Sequence, residues 1–244
     1  MQLVAVDPLA DRAITFRLGT AIGPQVAARV RAAMAVLARP LERGDLPGAV
    51  ELAPSFCAVT LHYDPLHGDQ AALIAAVRDL LAGVDGDAGG AGRDWRLPCR
   101  YDGMDLAALE QALDMPAAQI TATHAATHFD IYALGFLPGL PFMGTLPATM
   151  SLPRRSSPRS RVPRGAVAIA NGLGVIYPSD SPGGWHILGH CPVPLFDARR
   201  AASPALLAAG DRLMFRAVGP EECADITADL AAGRLDPTAF QVPE

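Results

Sequence analysis

Five arginines lie in the stretch LPRRSSPRSRVPRGAVAIA, which covers residues 152–170. Prolines at positions 153, 158 and 163 exclude a helix, so the stretch is expected to be extended or looped. Guanidinium groups this close together repel one another unless anions lie among them. Because a guanidinium fork matches a carboxylate or a phosphate, we expect one or two of the arginines to bind such a group. The rest would pair with acidic residues of this chain or of a partner, and the alternative is a solvated basic loop.

The segment GFLPGLPFMG, residues 135–144, follows a predicted strand, HFDIYAL. Its two prolines and three glycines enforce a specific irregular path. That path would fix the positions of Phe136, Leu140 and Phe142. The three side chains either form an aromatic wall for a ligand or simply pack a structural loop.

The segment SDSPGGWHILGH, residues 179–190, contains a tight turn at Pro182, Gly183 and Gly184. Backbone N–H groups exposed in such a turn can bind an anion or a carbonyl oxygen. Trp185 offers a large flat contact beside them. The alternative is a hairpin turn that is followed by a core tryptophan.

The histidines form two pairs four residues apart, His124 with His128 and His186 with His190. The first pair lacks an acidic residue after its first histidine. The second is expected on a strand, where residues four apart are separated by about 13 Å. We therefore predict no metal ligand set. No Gly-x-Ser-x-Gly elbow is present, and the catalytic residues remain unassigned.

The composition excludes several classes of function. All 20 basic residues are arginine, so a P-loop lysine, a Schiff-base lysine and a biotinyl lysine are absent. The chain of 244 residues has a net charge of −5, which argues against nucleic acid as a partner. No membrane-spanning run and no signal peptide are visible. Four scattered cysteines predict reduced thiols and a cytoplasmic location.

The first part of the chain, residues 1–92, has the pattern of a ferredoxin-like α/β domain in the order β-α-β-β-α-β. A strand at 12–18 precedes a helix that Pro24 opens, with its apolar stripe at 26, 30, 34 and 37. Two strands, PGAVELA and FCAVTLHY, come next. A second helix is capped by Asp69 and ends at Gly83. A glycine-rich loop at 85–92 leads to the strand DWRLPCRY.

The second part, residues 93–244, contains two predicted short helices at 105–113 and 116–124. Short β-rich runs separated by proline and glycine continue to about residue 216. That pattern is typical of a β-barrel or a β-sandwich. An acidic helix is expected at 220–235. The fold class is therefore α+β.

In this order, GFLPGLPFMG, LPRRSSPRSRVPRGAVAIA, VIYPSDSPGGWHILGH and PLFD resemble the family of KipI and the 5-oxoprolinase component PxpB. The family is also labelled allophanate hydrolase subunit 1, and it is similar to subdomains C and D of the carboxyltransferase domain of urea carboxylase. The match covers roughly residues 48–216 and is densest at 124–197.

The resemblance implies a cyclophilin-like β-barrel for the second domain. It also implies a non-autonomous subunit of an ATP-dependent amide or lactam hydrolase, which opens 5-oxoproline to glutamate or acts on allophanate. The partners would be a sister subunit of the PxpC/KipA type (allophanate hydrolase subunit 2) and a lactam-hydrolase subunit of the PxpA type. ATP would be bound only in that complex. The small-molecule substrate would be an amide, a lactam or a carboxylate.

The motifs and the resemblance together predict that substrate-binding residues lie in one concave site of the second domain. Those residues are Phe136, Pro138, Gly139, Arg154, Arg159, Tyr177, Pro182, Gly183, Gly184 and Trp185. The chain departs from the family at Leu173, Gly174 and Val175, where Gln-Thr-Gly is usual. It also has Leu140 and Phe142 where the family has phenylalanine and tyrosine.

These departures leave the substrate open and keep two other functions in competition. One is a KipI-like regulator that inhibits a histidine kinase without catalysis. The other is a carboxyltransferase-like component that acts on carboxybiotin carried by another protein.

Overall fold

The computed structural model describes residues 1–84, 92–200 and 203–243. The chain forms two compact units, Met1–Ala91 and Gly92–Glu244. The architecture is mixed α/β, with five α-helices and fourteen strands in the described residues. None of the described helices combines the length and the apolar character needed to cross a membrane.

The first unit is an antiparallel sheet of four strands in the order β1-β2-β4-β3, with two helices packed against it. Ile14 and Phe16 alternate with polar residues in β2, and both are fully buried with Leu37 and Val77 of the helices. The elements are β1 (Ala5–Leu9), β2 (Ala13–Arg17), α1 (Pro24–Arg43), β3 (Ala49–Pro54), β4 (Ala58–Tyr63) and α2 (Gln70–Ala82).

Both helices of the first unit begin as predicted. Pro24 occupies the first turn of α1, where its missing N–H costs nothing. The Asp69 carboxylate accepts a hydrogen bond of 2.8 Å from the backbone N–H of Ala72 and so caps α2, which ends at Gly83. The predicted glycine-rich loop at 85–92 lies almost wholly outside the described residues.

The second unit contains an eight-stranded sheet in the order β12-β9-β10-β7-β6-β13-β5-β14 and a two-stranded sheet, β11-β8. Its elements are β5 (Asp94–Cys99), α3 (Leu106–Leu113), α4 (Ala117–Ala126), β6 (Phe129–Leu134), β7 (Pro141–Gly144), β8 (Arg159–Val162), β9 (Ala166–Ala170), β10 (Leu173–Ile176), β11 (Ser181–Gly183), β12 (His186–His190), β13 (Arg212–Ala217), α5 (Pro220–Ala231) and β14 (Gln241–Val242).

The core of the second unit is largely aliphatic, with Trp95, Phe129 and Phe215 as its aromatic members. One buried carboxylate, Asp211, is satisfied from three directions. It accepts hydrogen bonds from the Trp95 indole N–H (2.9 Å), the Ala208 backbone N–H (2.9 Å) and the Arg93 guanidinium. These bonds connect the start of β5 to the start of β13, and the two strands are parallel neighbours.

Two predictions about the sheets need correction. The strand DWRLPCRY forms as β5, but it pairs with β13 and β14 of the second unit and does not complete the first sheet. That edge is taken by β1, whose Asp7 and Pro8 gave no strand signal because these residues are depleted in strands. The predicted barrel is also not found, since strand pairing does not close any described sheet. A single bridge, Arg100 with His190, joins the end of β5 to β12.

Candidate functional site

A cavity of about 310 Å³ in the second unit, here called the Trp185 cavity, brings together seven of the ten predicted site residues. Those seven are Phe136, Arg154, Tyr177, Pro182, Gly183, Gly184 and Trp185. Leu140, Phe142, Pro158 and Val175 complete the lining. The three irregular segments that the sequence singled out therefore converge on one concavity.

Strand pairing explains how segments far apart in the sequence meet here. Phe142 of β7 lies directly opposite Val175 of β10, so both side chains reach the same face. Gly183 of β11 lies opposite Arg159 of β8. A Cβ at position 183 would overlap the Tyr177 hydroxyl and lie 3.0 Å from Cζ of the same ring. Glycine at 183 therefore lets β11 approach Tyr177 closely. The tight turn predicted at Pro182, Gly183 and Gly184 is wrong for the first two residues, which lie in β11 and pair with β8.

The aromatic wall of the cavity is formed by Trp185 and Phe142, whose ring centroids are 6.1 Å apart. Trp185 is buried, with only 6% of its surface exposed. The Cζ atom of Arg154 lies 5.4 Å from the centroid of the indole. Within the part of the chain that the structure describes, no carboxylate lies within ion-pair distance of Arg154. The cavity thus has a cation at its edge that nothing described neutralises.

Phe136 lies at the mouth of the cavity in an unusual state. Its φ angle is 68°, in the left-handed region that bulky residues rarely adopt, and 69% of the residue is exposed. A strained, exposed aromatic ring beside an apolar cavity is consistent with a ligand contact. Pro138 and Gly139 belong to the same loop but do not line the cavity. Gly139 is buried, with its Cα facing Leu195 and Phe196.

Arg159 does not line the cavity, and its partner explains why. Its guanidinium pairs with the carboxylate of Asp105, whose side chain is only 4% exposed. The same carboxylate accepts hydrogen bonds from Arg155 Nη1 (3.2 Å) and from the Ile187 backbone N–H (2.7 Å). Asp105 therefore fastens the arginine segment to the start of β12. Arg159 Nη1 is buried and has no hydrogen-bond partner among the described residues.

Asp105 was not recognised from the sequence. It precedes α3, where an aspartate ordinarily reads as a helix cap, yet its side chain makes no capping hydrogen bond. Its two arginine partners lie about fifty residues away. Clustered guanidiniums need a carboxylate nearby, and this need signals that an acidic residue pairs with the arginine segment. It does not identify which acidic residue that is.

Arg161 also shows the expected pairing with an acidic residue of this chain. Arg161 Nε donates to Asp180 at 2.7 Å, and the backbone N–H of Arg164 donates to the same carboxylate at 2.8 Å. These two donors hold the pKa of Asp180 below its usual value. Arg155, Arg159 and Arg161 thus have carboxylate partners, whereas the Arg154 and Arg164 guanidiniums have none among the described residues.

The electrostatics of the Trp185 cavity favour an anion. Burial raises the pKa of the Tyr177 phenol, and the nearby charges of Arg154 and Arg159 oppose that rise. Asp105 pairs with Arg155 and Arg159 only, so the cations Arg154, Arg155 and Arg159 together outnumber the one carboxylate beside them. A ligand with a flat apolar body and one negative group would satisfy both the wall and the charge.

The histidine pairs take no part in this cavity. His124 is buried; its Nδ1 lies 2.8 Å from the Tyr101 hydroxyl, and burial lowers its pKa to about 3. His186 and His190 are on the strand β12, as predicted, and His186 Nε2 lies 3.0 Å from the Pro153 carbonyl oxygen. Across residues 1–84, 92–200 and 203–243, no cluster of three or more His, Cys, Asp or Glu side chains could hold a metal.

Comparison with known proteins gives consistent matches. The profile of the carboxyltransferase domain, subdomains C and D, matches residues 4–207. The B-type subunit of the 5-oxoprolinase of Bacillus subtilis (strain 168) is 32% identical over 223 residues, which are 86% of this chain and 91% of that protein.

Two solved structures give the fold-level comparison. The crystal structure of TTHA0988 superposes with a TM-score of 0.73 at 35% identity, over 86% of this chain but only 40% of its own. The Kluyveromyces lactis urea carboxylase has a TM-score of 0.74 at 18% identity, over 96% of this chain and 24% of its own, which is a likeness of fold alone.

Proposed function

We propose, since this chain belongs to the family of the carboxyltransferase domain, subdomains C and D, that it is a subunit of a 5-oxoprolinase-type hydrolase. The near full-length similarity to the B-type component of a 5-oxoprolinase supports this proposal. The Trp185 cavity suits the substrate class, because 5-oxoproline is a small lactam ring that carries one carboxylate. Opening the lactam would yield glutamate.

Within that reaction, the chain would bind and orient the lactam. The Arg154 guanidinium has no ion-pair partner among the described residues and lies against the Trp185 ring. It would bind the carboxylate of the lactam. Phe142 and Trp185 would contact the ring, and the backbone N–H of Gly184, directly after β11, would donate to the carbonyl oxygen. The juxtaposition of Arg154 and Trp185 is the observation that carries this assignment.

The chain would act only with partners. We propose a sister subunit of the PxpC/KipA type and a hydrolase subunit of the PxpA type. The resemblance also implies ATP, which supplies the free energy for opening the lactam. Because the chain has no lysine, a P-loop cannot form on it, and ATP would be bound only in the complex. The four cysteines are all free, which suits a reducing cytoplasm.

Among the departures from the family pattern, only Phe142 removes a polar group from the Trp185 cavity, because the family has a tyrosine there. Leu140, Phe142 and Val175 line the cavity, and they add no hydroxyl or amide. Leu173 and Gly174 do not line it; a Cβ at 174 would face Met143 and Phe129 in the core. The loss of Gln-Thr at 173 and 174 therefore removes polar groups from outside the cavity.

The loss of the family's polar groups, at Phe142 inside the cavity and at residues 173 and 174 outside it, favours one second candidate. That candidate is a KipI-like regulatory protein that binds a ligand or a kinase without catalysis. The two candidates differ in one measurable property. A hydrolase subunit restores 5-oxoproline-dependent ATP turnover when it is added to its partners, and a regulator does not.

A carboxyltransferase-like component acting on carboxybiotin has the description of the matching family and the fold in its favour. We further propose that the first unit is a variant of the ferredoxin-like fold and the second a variant of the cyclophilin-like fold. The run β2-α1-β3-β4-α2 supports the former, and the eight-stranded sheet with its bridge between Arg100 and His190 supports the latter.

A further inference from the structure

A second cavity of about 700 Å³, here called the α5 cleft, lies in the second unit between α5 and the segment that follows β12. It shares no lining residue with the Trp185 cavity. One wall is formed by residues 227–237, beyond the family match, which ends at residue 207. The cleft is therefore partly built from a segment that the family match does not cover.

Arg164 supplies a fixed backbone and a free charge at the edge of the cleft. Its N–H is held by Asp180 at 2.8 Å, and the next residue, Gly165, donates to the Tyr177 carbonyl oxygen at 2.7 Å. The Arg164 side chain is exposed and makes no ion pair with any described residue. Hydrogen bonds thus fix the backbone at Arg164, while its guanidinium is free to bind a ligand.

His190 lies beside Arg164 on the floor of the cleft. Its ring packs onto Gly165, where a Cβ would lie 2.7 Å from Nδ1 and closer still to Cε1. No described residue makes a hydrogen bond with the imidazole. Burial lowers the pKa of His190, and the charge of Arg100 lowers it further. The ring is then neutral near pH 7 and still carries one N–H donor.

The charges of the cleft leave an excess of one cation. Asp197 pairs with Arg199 at 2.8 Å, and Asp236 pairs with Arg200 at 3.1 Å. Each carboxylate of the lining therefore has its own arginine, and Arg164 remains. Apolar side chains form part of the remaining lining, among them Val193, Phe196, Leu230 and Leu235.

We propose that the α5 cleft binds an organic phosphate, with the phosphate at Arg164 and His190 and an apolar group against Leu230 and Leu235. The donors come from three segments: Arg164 in the loop before β9, His190 at the end of β12, and Arg200 in the connection to β13, which pairs with Asp236 through Nη2 and has further N–H groups to donate. Donors on several sides fit the three terminal oxygens of a phosphate better than a planar carboxylate. The volume lies within the range of about 300–1,000 Å³ that is usual for small-molecule sites.

Calorimetric titration of the full chain with phenyl phosphate, inorganic phosphate and benzoate tests this proposal. Phenyl phosphate should bind most tightly, because only it has both a phosphate and an apolar group. Arg164→Gln should weaken its binding about tenfold or more, since a charge-assisted hydrogen bond is lost. His190→Gln should weaken it as well. Arg78→Gln, which changes an exposed arginine on α2, serves as the matched control and should bind as the wild type does.

Because phenyl phosphate could also enter the Trp185 cavity, Arg154→Gln is the deciding variant. Unchanged phenyl phosphate binding in Arg154→Gln, together with loss in Arg164→Gln, supports the α5 cleft. The proposal is wrong if Arg154→Gln abolishes binding while Arg164→Gln does not, if benzoate binds more tightly, or if no heat is seen at millimolar phenyl phosphate. Thermal melting of each variant shows whether it is folded.

Discussion

The guanidinium of Arg154 lies over the indole of Trp185, 5.4 Å from Cζ to the ring centroid, at the edge of an apolar cavity. Arg154 is exposed and unpaired among the described residues, whereas Trp185 is buried. Arg154 adds little to the packing of the core, yet it lies beside a cavity large enough for a small ligand. We therefore assign it a role in ligand binding.

Arg154→Gln should therefore reduce the affinity for a carboxylate-bearing lactam without unfolding the chain. The loss of a charge-assisted hydrogen bond is worth about 1.5–3 kcal/mol, or roughly ten- to a hundredfold in affinity. Titration with 5-oxoproline, on the chain or its complex, measures the effect. Arg161→Gln removes an exposed arginine of the same segment that pairs with Asp180, and it is the control. Equal loss in both variants would contradict a specific role for Arg154.

Asp105→Asn should destabilise the chain strongly. The neutral amide leaves Arg155 and Arg159 without the carboxylate that balances them, and removing one partner of a buried ion pair costs about 3–5 kcal/mol. Urea unfolding measures the free-energy change. Asp114→Asn, at the exposed C-terminal end of α3, should change stability by less than about 0.5 kcal/mol. Similar values for the two variants would show that Asp105 does not hold the arginine segment.

Gly183→Ala should deform the Trp185 cavity, because the new methyl group meets the Tyr177 hydroxyl. Overpacking of this kind costs about 1–3 kcal/mol, and Tyr177→Phe in the same chain should recover part of it. Gly219→Ala is the matched control, since a Cβ there meets nothing within 4 Å. Thermal melting measures the effects. If those of Gly183→Ala and Tyr177→Phe are additive, residues 177 and 183 do not interact.

Acid should destabilise the second unit partly through His124. Its folded-state pKa is about 3, well below the 6.5 of an unfolded histidine, because burial disfavours the charged form. Below pH 6.5 the unfolded chain binds a proton that the folded chain excludes, so stability falls with pH until the folded pKa is reached. The slope approaches about 1.4 kcal/mol per pH unit.

His124→Phe should remove that part of the pH dependence, because phenylalanine does not titrate and fits among Phe129 and Phe215. Unfolding free energies between about pH 4 and pH 7 measure the slope. His62→Gln, an exposed position on β4, should keep the wild-type slope. A wild-type slope in His124→Phe as well would rule out this histidine as the acid-sensitive group.

The sequence predicts local elements well where periodicity and caps agree, as in α1 with Pro24 and in α2 with Asp69. It predicts the pairing of strands poorly. The alternation of side chains in Asp94–Cys99 identifies a strand but does not show which strand it pairs with. In the site, unusual segments such as Pro182–Trp185 could be singled out because glycine, proline and tryptophan limit the possible backbones. The role of Asp105 could not be found, since a long-range ion pair leaves no mark on local sequence.

The most direct test of the proposed function is 5-oxoproline-dependent ATP turnover by reconstituted mixtures. The chain alone, its partners of the PxpC and PxpA types alone, and the complete mixture are compared, each with wild-type chain and with Arg154→Gln. We expect turnover only in the complete wild-type mixture, and a strong reduction with Arg154→Gln. Substantial turnover by the isolated chain, or a complex that assembles without any turnover, would contradict the assignment as a hydrolase subunit.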